Sequence, residues 1–187
     1  MRLDASASLL CVIDVQERLL AAMPDAPGLV ARCRRLAVAA RLLDVPTVLT
    51  EQYPRGLGRT PVALADALPP AIEKTSFSCL GCTTFAQAIG RGVHVAVLAG
   101  LETHVCIAQT ALDLLARGLG VAVCVDAIRS RHAIDHEVAL RRLEASGAVL
   151  VTTEAVLFEW CRTADHPRFQ EVRRLVLDAD AGLTAGS

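Results

Sequence analysis

The sequence predicts a doubly wound α/β domain: three layers, α/β/α, with a six-stranded parallel sheet of Rossmann-like construction at its centre. Three observations predict it. Short apolar runs rich in valine, such as ASLLCVIDV at 7–15 and VHVAVLA at 93–99, have the unbroken hydrophobicity of strands covered on both faces. Stretches with helical spacing of apolar residues alternate with those runs along the chain, which is the order of a parallel sheet wound with crossover helices. A length of 187 residues suits one domain with a sizeable core. We therefore read 1–187 as a single domain, with a mobile tail expected from about Ala179.

Each element follows from local pattern. Ala7–Val15 is the first strand and carries the carboxylate of Asp14 to its carboxyl end, the edge of a parallel sheet where ligands bind. After a connection with two prolines, Leu29–Leu43 is an amphipathic helix, with Cys33, Leu36, Ala37 and Ala40 inward and arginines outside. Pro46–Thr50 is the second strand. The next segment, EQYPRGLGRTPVALADALPP, is long, polar and rich in glycine and proline, the character of a functional loop; it makes Glu51, Gln52 and Tyr53 pocket-wall candidates. Ala71–Glu73 is a very short third strand and Lys74 follows it directly. Thr83–Ile89 forms a helix, and Val93–Ala99 is the fourth strand, stopped by Gly100. From His104 onward Val105, Ala108, Leu112 and Leu115 recur at helical spacing up to a capping Gly118, which puts Cys106 in the first turn. Gly120–Asp126 is a fifth strand, Asp135–Ala145 a helix and Ala148–Thr152 a sixth strand. Thr153 caps a short helix over AVLFEW, and Pro167–Leu177 is the last helix.

Composition excludes several function classes. Net charge is −1, so the chain lacks the basic footprint that nucleic acid or an anionic membrane requires. No uncharged apolar run approaches the ~18 residues of a spanning helix. One Trp and one Tyr give no base-stacking surface. Seven cysteines make an odd count with no disulfide framework, which fits a reducing, cytoplasmic setting. Cys79 and Cys82 form a C-x-x-C, but SFSCLGCTTF has no second pair or His pair to complete a zinc site.

Three chemically distinct groups are left at one rim. A thiol at a strand-to-helix turn meets unpaired backbone N–H groups and the positive end of the helix dipole, which stabilise a thiolate or an oxyanion. Asp14 can accept the thiol proton and return it to a leaving amine, while the charge of Lys74 supports both anions. The lysine carries its own signal. Among 19 basic residues Lys74 is the one that is not arginine, as expected of a site needing a compact ammonium where a planar guanidinium cannot serve.

The motifs that carry these groups are VIDVQ with Asp14 and Gln16, EKTSFS with Lys74, and LAGLETHVCIAQTALDLLARG with Cys106. Together they resemble the isochorismatase-like cysteine hydrolases, a group that includes nicotinamidases and N-carbamoylsarcosine amidases. The wording TEQYPRGLG and GLETHVCI is most similar to the isochorismatase-domain-containing branch. The resemblance covers Leu9 to about Thr152 and implies the isochorismatase-like hydrolase fold, Cys106 as nucleophile, Asp14 as base and Lys74 as its partner. It also implies a cis peptide between Leu101 and Glu102 that turns the Glu102 and Cys106 N–H groups into an oxyanion hole. By position, Tyr53 at the end of strand two, Phe77 just behind Lys74 and Gln16 of the VIDVQ motif are expected about a substrate pocket. Nicotinamidases carry an Asp-x-His metal motif after strand two, where this chain reads Glu51, Gln52, Tyr53, so no metal and no cofactor is expected. Isochorismatases proper lack the cysteine.

The expectation that results is a metal-independent cysteine hydrolase. It cleaves a C–N bond of a small amide or ureido compound through an acyl-cysteine intermediate, as a homo-oligomer, dimer or tetramer, with no nucleic-acid or membrane partner. The alternatives are a catalytically silent, oligomeric binding or scaffold protein and a thiol redox protein using Cys79 and Cys82. His104 reads as a helix-start or interface residue, and His132 and His136 as surface or pocket-rim groups.

Overall fold

The computed structural model describes residues 1–184, with side chains described through Asp178. Six strands form one sheet: β1 Ser8–Ile13, β2 Thr47–Gln52, β3 Ile72–Lys74, β4 Val95–Leu101, β5 Gly120–Arg129 and β6 Val149–Val151. All pairings are parallel, in the order β3-β2-β1-β4-β5-β6. The helices are α1 Glu17–Leu20, α2 Ala26–Leu42, α3 Pro54–Leu57, α4 Val62–Ala65, α5 Thr83–Ala88, α6 Ala108–Ala116, α7 Ala133–Ala145, α8 Thr153–Cys161 and α9 Phe169–Thr184.

Alternation along each strand divides the core in two. Leu10 and Val12 of β1, with Val97 and Ala99 of β4, meet Leu29, Leu36, Trp160 and Val172 from α2, α8 and α9. Leu9, Cys11 and Ile13, with Ala96 and Leu98, meet Phe85, Ala111, Leu114 and Leu143 from α5, α6 and α7. Both faces of the sheet are thus covered, the condition under which strands read as continuous apolar runs. The three-layer doubly wound expectation is what the structure has.

Several boundaries move. The fourth strand runs through Gly100 to Leu101 rather than ending at Ala99, and β5 continues to Arg129 because its pairing with β4 shifts between Leu98 and Gly100. Thr152, not Thr153, caps α8 by accepting from Ala155 N; the Thr153 hydroxyl is engaged by Asp126. The helix α9 carries the backbone past Ala179, so the tail expected from there begins within this helix and ends outside the described residues.

The sheet order reverses between β1 and β4. The chain winds outward from β1 to β3 and then returns to build β4, β5 and β6 on the other side. That switch point opens a crevice at the carboxyl ends of β1 and β4. Gly100 makes the close approach there possible: its φ is +122°, and a Cβ on it would lie 2.0 Å from the Ile13 carbonyl oxygen.

Candidate active site

Asp14, Lys74 and Cys106 arrive at the crevice from three strands. Asp14 follows β1 in a left-handed conformation, φ 53°, which turns its side chain back over the strand end. Lys74 closes β3, two strands away, a separation of about 10 Å at the ~4.8 Å spacing of paired strands. A lysine can bridge that gap only by lying across the end of β2. Its ammonium reaches Asp14 Oδ2 at 2.6 Å, and both side chains are 0% exposed.

The residues of β2 beneath that bridge complete it. Thr50 Oγ1 donates to Asp14 Oδ1 at 2.7 Å, and Lys74 Nζ donates to Gln52 Oε1 at 2.7 Å. The Ser76 and Phe77 carbonyls lie 3.2 Å from the same ammonium. Four oxygens thus surround Nζ, an arrangement that a compact ammonium satisfies and a planar guanidinium does not. Burial opposes the charge on Lys74, yet the Asp14 carboxylate that accepts its hydrogen bond outweighs burial and holds the lysine pKa above its ordinary value.

The cysteine turn departs from expectation in form. The Leu101–Glu102 peptide is cis, and the chain then makes a π-helical turn over Thr103–Ile107 before α6 begins. The Glu102 carbonyl accepts from Val105 N and from Ile107 N, so the ordinary i+4 bond that would occupy the Cys106 N–H is not made. Cys106 is 5% exposed. Burial pushes its thiol far above the ordinary value, the Asp14 carboxylate pushes the same way, and Lys74 only partly opposes them. The resting site therefore holds a thiol beside the Asp14–Lys74 pair. The stabilised thiolate expected from a helix start is overridden by desolvation and by Asp14.

Side chains of the β5–α7 connection brace this turn. Glu102 Oε1 accepts from Arg131 N at 3.2 Å and from Arg131 Nε at 3.0 Å. Thr103 Oγ1 pairs with His136 Nδ1, and His104 Nδ1 with Ser130 Oγ, each at 2.9 Å. His104 is thus engaged by Ser130 and Asp135, and His136 is a bracing group.

The pocket expectations fare differently. Gln16 is fully buried, and its amide is spent on the Gln52 backbone and the Gly58 carbonyl, so it stands behind the wall rather than on it. Phe77 is 54% exposed, and it is its carbonyl that meets Lys74. Tyr53, 55% exposed, lines a cavity of about 490 Å³ with Arg55, Lys74, Thr75, Ser76 and Cys82. That cavity borders the site on the Lys74 side and does not reach Cys106. Glu51 turns to the opposite face and is held by Arg59 and Thr60 N. The sequence reading missed Thr50. Its signal is strand parity: Thr50 and Gln52 share a face, and Gln52 pairs in register with Lys74. Cys79 was also passed over as a neighbour of the site. It is buried, its N–H donates to Thr110 Oγ1 of α6, and its sulfur lies 3.9 Å from Thr50 Oγ1. Among the described residues no three His, Cys, Asp or Glu side chains are grouped to hold a metal ion.

A family model described as the isochorismatase domain matches residues 8–155. The chain belongs to the isochorismatase family. Isochorismatase domain-containing protein 2A of Mus musculus is 41% identical over 186 residues, covering 97% of this chain and 89% of its own. A structure described as MAR1 ribonuclease from Caenorhabditis elegans is 40% identical with a TM-score of 0.90, covering 95% of this chain and 93% of that one. YcaC from Pseudomonas aeruginosa, solved with hexane-2,5-diol and covalent acrylamide, is 26% identical with a TM-score of 0.87, covering 98% and 96%. The match to the family model spans β1 to the start of α8, and so includes every element that supplies the site.

Proposed function

We propose that this isochorismatase-family protein is a metal-independent cysteine hydrolase that cleaves the C–N bond of a small amide or ureido compound. What carries the reading is the convergence of Asp14, Lys74 and Cys106 at the switch point, with the ammonium 2.6 Å from the carboxylate. As the Cys106 sulfur attacks the substrate carbonyl carbon, its proton passes to Asp14 and the C=O electron pair moves onto oxygen. The N–H groups of Glu102 and Cys106 hold that oxyanion. Collapse expels the amine, which takes the proton from Asp14 and leaves an acyl-cysteine. A water molecule, deprotonated by Asp14, then releases the acid and restores the thiol. Lys74 moves no proton in this sequence; surrounded by oxygens, it stands as the counter-charge beside Asp14.

The C. elegans structure's description as a ribonuclease supplies a second reading, cleavage of RNA. Charge weighs against it: basic and acidic residues nearly cancel, and Lys74, the cation at the triad, is buried and fully engaged. The proposal extends to a cytoplasmic protein, in keeping with seven free cysteines, and to a homo-oligomer. Tyr53 and Phe77 near the site and Ile134 and Val138 one turn apart on α7 are exposed apolar groups that a second copy would cover. Among the described residues no helix is long and apolar enough to cross a membrane.

The test is a panel of primary amides, ureides and an RNA oligonucleotide, followed by ammonia release and by strand cleavage, with wild type and Cys106→Ala. Ammonia release lost in Cys106→Ala at unchanged circular dichroism supports the hydrolase. Release retained by Cys106→Ala removes the nucleophile, and cleaved RNA with intact amides favours the second reading.

A further inference from the structure

Gln52 is buried and used at every polar atom. Its Oε1 accepts from Lys74 Nζ and its Nε2 donates to the Thr75 carbonyl, each at 2.7 Å. Its backbone is clasped in turn by Gln16, which accepts from Gln52 N at 2.7 Å and donates to the Gln52 carbonyl at 3.0 Å. The remaining amide hydrogen of Gln16 goes to the Gly58 carbonyl at 2.7 Å, tying the clasp to the loop beyond α3. This network admits one orientation of the Gln52 amide, because rotating it would set an NH₂ group against an ammonium and an oxygen against the Thr75 carbonyl. Three successive carbonyls, Thr75, Ser76 and Phe77, are turned onto Gln52 and Lys74.

We propose that Gln52 is a positioning residue, locked by Gln16, that fixes where the Lys74 ammonium stands between Asp14 and Cys106. The inference rests on the reading of those three residues as the reacting group. It gives the sequence at the end of β2 a role unlike metal binding: the amide that follows Glu51 is a neutral acceptor, which holds Lys74 without cancelling its charge. A carboxylate there would hold the lysine more tightly and take its charge from the thiol. An apolar side chain would leave the whole charge to Asp14 and Cys106.

Those two changes make the test, read by the rate at which the Cys106 peptide is alkylated by excess iodoacetamide at pH 8, resolved from the other cysteines by peptide mapping. Gln52→Glu is expected to slow Cys106 alkylation about tenfold or more, since thiolate formation loses support from Lys74. Gln52→Met, similar in size and unable to accept from nitrogen at comparable strength, is expected to quicken it. A residue that merely ties β2 to the following loop would shift both variants in one direction through loosening, or neither. Rates within twofold of wild type, or two shifts of the same sign, overturn the inference. Should Gln52→Glu not fold, Gln52→Met decides alone, a faster rate supporting and an unchanged or slower rate refuting. The more exposed Cys82 is expected to label before Cys106 and is mapped separately; if amide turnover survives in Cys106→Ala the hydrolase reading fails first, and if it is lost while the variants leave the Cys106 rate unmoved, only the role of Gln52 fails.

Discussion

Replacing Lys74 by methionine keeps most of the side chain's length and deletes its charge. In the wild-type protein the ammonium and the Asp14 carboxylate are both fully buried and 2.6 Å apart. Removing one member of such a pair leaves the other as an uncompensated charge in a poorly solvated site, which costs about 3–5 kcal/mol. The Gln52 amide oxygen loses its donor as well, while the Ser76 and Phe77 carbonyls are partly buried and regain water. Against a total stability of about 5–15 kcal/mol this is a large fraction, and at a urea m-value of about 2 kcal/mol/M it moves the unfolding midpoint down by about 2 M. Trp160 is buried on the opposite face of the sheet, so its fluorescence reports global unfolding without touching the site. The variant Asp14→Asn/Lys74→Met removes both charges and should lose clearly less than the sum of the single changes. A loss below about 1 kcal/mol in Lys74→Met, or strict additivity in the double variant, would refute the claim that these charges are buried against each other.

Other outcomes follow from the same geometry. Gly100→Ala should abolish alkylation of Cys106 by iodoacetamide or prevent folding, because its Cβ would overlap the Ile13 carbonyl at a φ of +122°; a native-like melting curve with normal labelling would contradict the close approach. In Asp14→Asn the Cys106 thiol should ionise at lower pH than in wild type while turnover is lost, since a carboxylate that raises the thiol is gone and Lys74 remains; thiolate absorbance against pH measures it. Alkaline stability should fall from pH 9 upward. Burial raises Cys79 to about 11 and Cys33 to about 12 from an ordinary 9.0, and groups raised on folding contribute stability below their unfolded value that is lost as pH climbs through the folded one. Lys74, raised above 10.5, adds to the loss above that pH, and the lysine part should be missing from Lys74→Met. Lys74→Arg should be severely impaired in Cys106 labelling despite its charge, because a planar guanidinium cannot sit among four oxygens ranged around one nitrogen; near-normal labelling would remove that argument.

The sheet was legible because it is written in local pattern, and so were the places of Asp14 and Lys74 at its edge. A strand buried on two faces is an apolar run, and a functional group at its carboxyl end is the next residue or two along, as with Asp14 after Ile13 and Lys74 at the end of β3. What lay beyond the sequence depended on neighbours far away along the chain. Gln16 carries a polar amide and stands beside Asp14, so it resembles a pocket residue until Gln52 and Gly58 are seen to consume it. The state of the Cys106 thiol was misread for a related reason. Helix position is visible in sequence, whereas desolvation and the approach of Asp14 arise only when β1 and β4 pair. The π-helical turn and the shifted β4–β5 register have no local signature of this kind.

In the proposed mechanism the acid and the nucleophile come just after adjoining strands, β1 and β4, and this separates two things an enzyme has to vary. The ladder that matches Ile13 with Gly100 sets where the two segments leave the sheet, and the turn over Thr103–Ile107, braced through Ser130 and Arg131, carries Cys106 the rest of the way toward Asp14. The segments that could meet a ligand, 53–58 and 75–78, lie outside the ladder and are attached to it through Gln16, Gln52 and Lys74. Their outward side chains, Tyr53, Arg55 and Phe77 among them, can change without displacing the reacting atoms. On the proposed reading, substrate choice and bond cleavage are written in different parts of the chain, and selection can revise the first while leaving the second as it stands.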